Sequence, residues 1–109
     1  MAVSADEIAF AREVFREVPD VTTKKMFGGL SLYSQGVIFA IIGPTSELMV
    51  KARDDLAAEL EALGSSQFVY DGHKDRGATT MPYWTLPESA LDDPAEARDW
   101  ARRSLEQNG

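Results

Sequence analysis

The spacing of hydrophobic residues changes period along this chain, and each change marks an element. Near the N-terminus, Val3, Ile8, Phe10, Ala11, Val14, Phe15 and Val18 fall within an arc of about 160° at 100° per residue. Asp6, Arg12, Glu13, Arg16 and Glu17 fill the remainder. Such a wide apolar face predicts a helix lying on a sheet. Ser4 and Glu7 stand at capping-box spacing, where the hydroxyl accepts from the N3 amide and the carboxylate reaches back. Pro19 ends the helix, because its ring and missing N–H do not continue one.

From Lys25 to Lys51 the period approaches two. Met26, Leu30 and Leu32 alternate with Phe27 and Tyr33, Ser34-Gln35-Gly36 makes a short turn, and Val37 to Ile42 is apolar on both faces. Runs joined by so few residues are antiparallel. A second turn, Gly43 to Ser46, leads into Leu48-Met49-Val50, so the segment predicts a three-stranded meander with its Ile-rich strand central. A helix follows from about Arg53 to Leu63, with Asp54 and Asp55 in its first turn, Leu56, Leu60 and Leu63 as its stripe, and Gly64 beyond its end. Gln67 to Tyr70 and Met81 to Trp84 read as short strands around the polar loop Asp71 to Thr80, with Pro82 marking an edge strand or the start of one. Asp93, Pro94 and Glu96 open a last helix whose buried face is Ala97, Trp100, Ala101 and Leu105. The order α-β-β-β-α-β-β-α predicts a two-layer α+β domain with a mainly antiparallel sheet of about five strands and three helices.

Composition narrows the functions such a domain can have. The 109 residues suit a single domain spanning 1–109, and the 44% hydrophobic content supports its core. Eleven Lys and Arg against eighteen Asp and Glu give a net charge of −7, which argues against direct nucleic-acid binding and against an anionic membrane surface. With no cysteine, thiol nucleophiles and zinc–thiolate sites are excluded. The longest apolar run, Val37 to Ile42, is too short to span a bilayer, and no basic-then-apolar leader opens the chain. A cytoplasmic protein is the expectation.

Several residues invite a chemical reading. His73, the one histidine, lies between Asp71 and Asp75, and two carboxylates with an imidazole could hold a divalent ion or, with nearby aromatics, a small ligand. The spacing is not that of a calcium loop, no second His or Cys completes a zinc set, and Asp-Gly beside charges is ordinary turn composition. The acidic pairs Asp54-Asp55 and Asp92-Asp93 sit at helix starts, where capping accounts for them. Gly28-Gly29 runs into a strand and lacks the Lys-Ser/Thr ending of a phosphate loop, so a bulge or a close approach of another backbone or side chain is the better account. Lys24-Lys25 and the helical Arg98, Arg102 and Arg103 suit solvation or an acidic protein surface better than a duplex. The aromatics Phe68, Tyr70, Tyr83, Trp84, Phe27, Tyr33 and Phe39 would serve as core or as a contact surface.

Taken together, Lys24-Lys25-Met26-Phe27-Gly28-Gly29, then Leu32-Tyr33, Gly36 and the apolar strand, resemble the N-terminal domain of TfoX/Sxy-type competence regulators. Phe68-Val69-Tyr70, Met81 through Pro87, and the closing Trp100-Ala101-Arg102-Arg103 also look like that family, so the resemblance runs from about residue 10 to residue 105. Ser31 stands where the family commonly has glycine. The resemblance implies a type-III-secretion-chaperone-like domain of three helices on an antiparallel sheet. It also implies a non-enzymatic regulatory role exercised with a transcription factor. Ending at Gly109, the chain has no room for the helical C-terminal domain of full-length regulators, so a stand-alone N-terminal domain is expected. The resulting expectation is a cofactor-free protein-interaction module, homodimeric or bound to another protein, with Lys24, Lys25, Phe27, Gly28, Gly29 and Tyr33 near its contact surface. A small-ligand or metal-binding protein using Asp71, His73 and Asp75 is the alternative.

Overall fold

A computed structural model describes residues 4–26, 29–43, 46–70 and 79–108. Its N-terminal helix α1 (Ala5–Val14) opens with the capping box foreseen from Ser4 and Glu7: the Glu7 amide donates to Ser4 Oγ and the Ser4 amide to Glu7 Oε1, both at 3.1 Å. The helix stops at Val14, four residues before Val18, and the chain tightens into turns closed by Arg16 N to Glu13 O and Val18 N to Phe15 O. The residue before a proline disfavours helical geometry, so Pro19 acts on Val18 as well as on itself. Phe15 and Val18 are nonetheless buried, delivered to the core by the turn instead of the helix.

The strands are β1 (Val21–Met26), β2 (Gly29–Ser34), β3 (Val37–Ile42), β4 (Leu48–Lys51), β5 (Gln67–Tyr70) and β6 (Thr79–Thr85). They form one antiparallel sheet in the order β1-β2-β3-β4-β6-β5. The meander thus has four strands where the alternation predicted three. The extra one, β1, pairs Val21 with Ser34 through Met26 with Gly29. Its polar Val-Thr-Thr-Lys-Lys sequence hides it from a hydrophobic count, and that polarity suits an edge strand, which lysines protect from adventitious pairing. Between β2 and β3, Gln35 (φ 51°) and Gly36 (φ 84°) both take the positive φ that a two-residue type I′ hairpin requires.

The Ile-rich β3 is interior, as expected, but β6 is interior too, between β4 and β5, which corrects the edge assignment drawn from Pro82. Proline is tolerated there because the β5–β6 register shifts between Gln67 and Val69, so no ladder partner needs an N–H from residue 82. Around this irregularity the Gln67 side chain donates Nε2 to the Met81 carbonyl at 3.0 Å, and the Pro82 carbonyl accepts from the Ala52 amide at 2.9 Å.

Helices α2 (Asp54–Ala62), α3 (Glu88–Leu91) and α4 (Pro94–Asn108) complete the fold, giving four helices among the described residues where three were predicted. The added α3 is a single turn, too short to show a period. Gly64, with φ 92°, closes α2 in a Schellman arrangement: Ser65 N reaches Leu60 O and Gly64 N reaches Glu61 O, both at 3.0 Å. Leu63, predicted in the α2 stripe, is instead the exposed cap residue. Asp93 Oδ1 accepts from the amides of Ala95 and Glu96, as a helix N-cap does.

One apolar layer joins all four helices to one face of the sheet: Ala11, Val14, Leu56, Leu60, Ala90, Ala97, Trp100 and Ala101 pack with Leu30, Leu32, Phe39, Ala40, Ile42, Val50 and Trp84. A bulge opposite Leu32 and Tyr33 turns the consecutive Phe39 and Ala40 both into this layer. Phe39 meets Phe15 edge to face at 5.0 Å and 89°, a geometry adding about 0.5–1.5 kcal/mol to simple burial. The opposite sheet face carries a smaller cluster of Ile41, Met49 and Tyr83, flanked by Ile38, Phe68 and Met81. At its C-terminal end α4 is tied to the β4–α2 junction, where Arg53 N donates to Gln107 Oε1 (3.0 Å) and Gln107 Nε2 donates to Arg53 O (2.7 Å). Among the described residues no helix is long and apolar enough to cross a membrane.

Candidate functional site

The residues singled out around Lys24 to Tyr33 lie on the β1–β2 hairpin at one side of the sheet. Lys24 and Lys25 are exposed on the outermost strand, opposite Ser31 and Leu30. Ser31 is buried and donates its hydroxyl to the Lys24 carbonyl at 3.0 Å, with the Tyr33 hydroxyl 3.3 Å away. Tyr33 is half-buried. The side chain of Ser31 therefore fixes the backbone beneath Lys24 while the ammonium groups stay in solvent.

Gly29 has a different task. It is buried, and a Cβ built on it would overlap the carbonyl oxygen of Ile42 at the end of β3. The close approach of another backbone anticipated for the Gly-Gly pair is realised here, and it is a packing requirement. Phe27 and Gly28, the remaining members of the predicted surface, lie outside the described residues.

Asp71, His73 and Asp75, the candidate ion or ligand loop, also lie outside the described residues. Among the described residues no group of three His, Asp or Glu side chains could hold a metal ion. The predicted aromatic surface divides between the two sides of the sheet. Phe39 and Trp84 enter the helix-facing core, whereas Tyr83 and Phe68 join the smaller cluster opposite. Burial, and secondarily the nearby Tyr33 phenol, push the Tyr83 hydroxyl above the ordinary tyrosine range.

The arginines of α4 are engaged within the chain. Arg98 pairs with Glu17 at 3.1 Å, and Arg102 with Asp99 (2.5 Å) and Glu106 (3.1 Å). Arg103 grips both oxygens of Glu59 on α2 and lies over the Trp100 ring, 5.2 Å from its centroid. That grip holds the Glu59 carboxyl below the usual carboxylate range. Arg98 thus ties α4 to the turn that follows α1 and Arg103 ties it to α2, while Arg102 is engaged within α4 itself, which leaves all three poorly placed for reading phosphates.

Away from the hairpin, a cleft of about 510 Å³ opens where α1, the β3–β4 connection, the end of β6 and α3 meet. Phe10, Leu48, Leu86 and Leu91 supply its apolar wall. Phe10 stands at one margin of the apolar arc of α1 and is 50% exposed, so the helix presents it to the cleft and not to the core. Three stretches distant in sequence build this feature, and no local pattern announces it. The marginal position of Phe10 was the one available signal.

The family model of the TfoX N-terminal domain matches residues 13–108 of this chain. No curated protein matches it. The match spans every described element except most of α1, and with it the hairpin that carries Lys24, Lys25, Gly29 and Tyr33.

Proposed function

Since this chain belongs to the TfoX N-terminal domain family, we propose that it is a non-enzymatic regulatory module that works by binding a protein, either a separate partner or a second copy of itself. The TfoX N-terminal domain family is not a known enzyme family. Cysteine is absent and the chain has one histidine, so no thiol nucleophile and only one imidazole base are available to it.

The observation that carries this reading is the exposed Lys24-Lys25 pair on the outermost strand. Both ammonium groups lack an ion-pair partner among the described residues, whereas every arginine of α4 has one. A strand at a sheet edge also offers backbone donors and acceptors to an incoming segment. On a chain of net charge −7, a local cationic edge selects an acidic protein surface over nucleic acid.

The test is affinity capture from the native host with the wild-type chain and with Lys24→Glu and Lys25→Glu, together with solution mass by light scattering. A partner or self-association lost in the variants, with circular dichroism and melting temperature unchanged, is the expected result. Retention of every partner, and of the same mass, by both variants would remove the β1 edge from the function.

A further inference from the structure

The cleft beside Phe10 is lined by no residue of the β1 edge. Its lining includes Asp6 and Glu7 of α1, Glu47 of the β3–β4 connection and Glu88 of α3, and among the described residues no Lys, Arg or His lines it. Asp6 and Glu88 are exposed and form no ion pair among the described residues. The Ser46 hydroxyl and the Ser4 amide hold the Glu7 carboxyl below the usual carboxylate range, so it is charged at neutral pH. Helix starts favour acids at residues 6, 7 and 88, but that preference does not by itself bring these three carboxylates and Glu47 together along one apolar wall.

An apolar cleft ringed by a single sign of charge recognises a ligand with the opposite arrangement. Duplexes and anionic lipid surfaces are repelled. We propose that this cleft docks a basic amphipathic peptide segment, with an apolar side chain seated against Phe10 and Leu91 and flanking Lys or Arg side chains paired with Asp6 and Glu88. The half-exposed Phe10 supplies the apolar anchor that a purely electrostatic contact would not need.

The test uses fluorescence anisotropy with the labelled hexapeptide KRLLRK, its apolar-deleted counterpart KRSSRK and the acidic EELLEE. Wild-type protein is expected to bind KRLLRK at least tenfold more tightly than either control. Phe10→Ser and the double variant Asp6→Lys/Glu88→Lys should each lose at least tenfold, while Glu61→Lys/Glu106→Lys, an equal charge change outside the cleft, should retain binding. Equal binding of KRSSRK, or equal loss from the two charge reversals, would reduce the effect to net charge and overturn the proposal, as would no binding of KRLLRK. Amide shifts in the unmodified chain keep the test independent of variant folding: KRLLRK should move the resonances of Phe10, Glu47 and Leu91 and spare Lys24, and the reverse pattern refutes the site. A wild-type mass twice that of the chain, halved by Phe10→Ser, would assign the cleft to a second copy and also overturn the peptide reading.

Discussion

Gly29 and Ile42 approach each other so closely, backbone to backbone, that a single added methyl group on Gly29 has nowhere to go. The obstructing atom is a carbonyl oxygen held in the ladder of β2 and β3, where Leu30 pairs with Ile42, so it cannot swing aside as a side chain would.

Gly29→Ala is therefore expected to destabilise the fold by about 1–3 kcal/mol, the range for overfilling a packed site. Urea denaturation measures it. Gly36 provides the contrast, since its φ of 84° demands glycine-like freedom while nothing lies near its missing Cβ. Gly36→Asn should cost little, because asparagine accepts type I′ turns, whereas Gly29→Asn should cost at least as much as alanine. Equal tolerance at both positions would show that the β2–β3 end yields more readily than its geometry indicates.

The second prediction concerns Ser104, a polar residue buried in α4. Its hydroxyl donates to the Lys51 carbonyl at 2.5 Å, lies 3.4 Å from the Phe39 carbonyl, and accepts from Asn108 Nδ2 at 3.2 Å. The serine thus joins the helix to the middle of β3, to the end of β4 and to its own last turn. Ser104→Ala removes the donor while leaving the Asn108 amide and the strand carbonyls short of a partner, at an expected cost of about 1–3 kcal/mol. Ser104→Val, which adds bulk at a fully buried position, should cost more. Thermal denaturation of the two variants checks both the size and the order.

Much of this architecture is legible wherever a local signal coincides with a tertiary one. Ser4 and Glu7, Gln35-Gly36, Gly64 and Asp93-Pro94 each specify a cap or turn through chemistry confined to a few residues, and each appears where its spacing indicates. The Ile-rich β3 is apolar on both faces because it has a neighbour strand on each side, helices on one face and the Ile41–Met49–Tyr83 cluster on the other. The β1 strand escaped because an edge strand needs few apolar residues and benefits from lysine. Ser104 escaped because a hydroxyl on a helix is silent in sequence until two strand carbonyls are brought beneath it. Within the predicted contact set, only Lys24 and Lys25 are exposed among the described residues. Gly29 is committed to packing, and Tyr33 is half-buried. The acid-lined cleft had only the marginal Phe10 to signal it, since Asp6, Glu47 and Glu88 meet only after the sheet has formed.

The third prediction follows from the irregular pairing of β5 with β6. A proline inside an interior strand is sustained there by Gln67, whose side-chain amide takes up the Met81 carbonyl. Gln67→Leu keeps the size and removes that donor, so it should destabilise by about 1 kcal/mol, and amide exchange should accelerate in β5 before the rest of the sheet. If exchange instead rose uniformly across β2, β3 and β4, the Gln67 bond would be part of global stability and not a local brace for Pro82.

The last prediction uses Tyr83, buried on the sheet face away from the helices, where desolvation first and the Tyr33 phenol second raise its pKa. In the unfolded chain a tyrosine ionises near pH ~10. In the folded chain Tyr83 stays protonated to higher pH, so between the two values the unfolded state binds fewer protons. Stability must therefore fall as pH rises through that window, with the contribution intact below the unfolded value. Absorbance titration near the phenolate band should resolve a late component that disappears in Tyr83→Phe, and the same variant should lose less stability than wild type as pH is raised above the ordinary tyrosine value. A late component that survives in Tyr83→Phe would assign the raised value to another tyrosine. Its complete absence from the wild type would mean that water reaches the Tyr83 hydroxyl more freely than its burial beside Ile41 and Met49 allows.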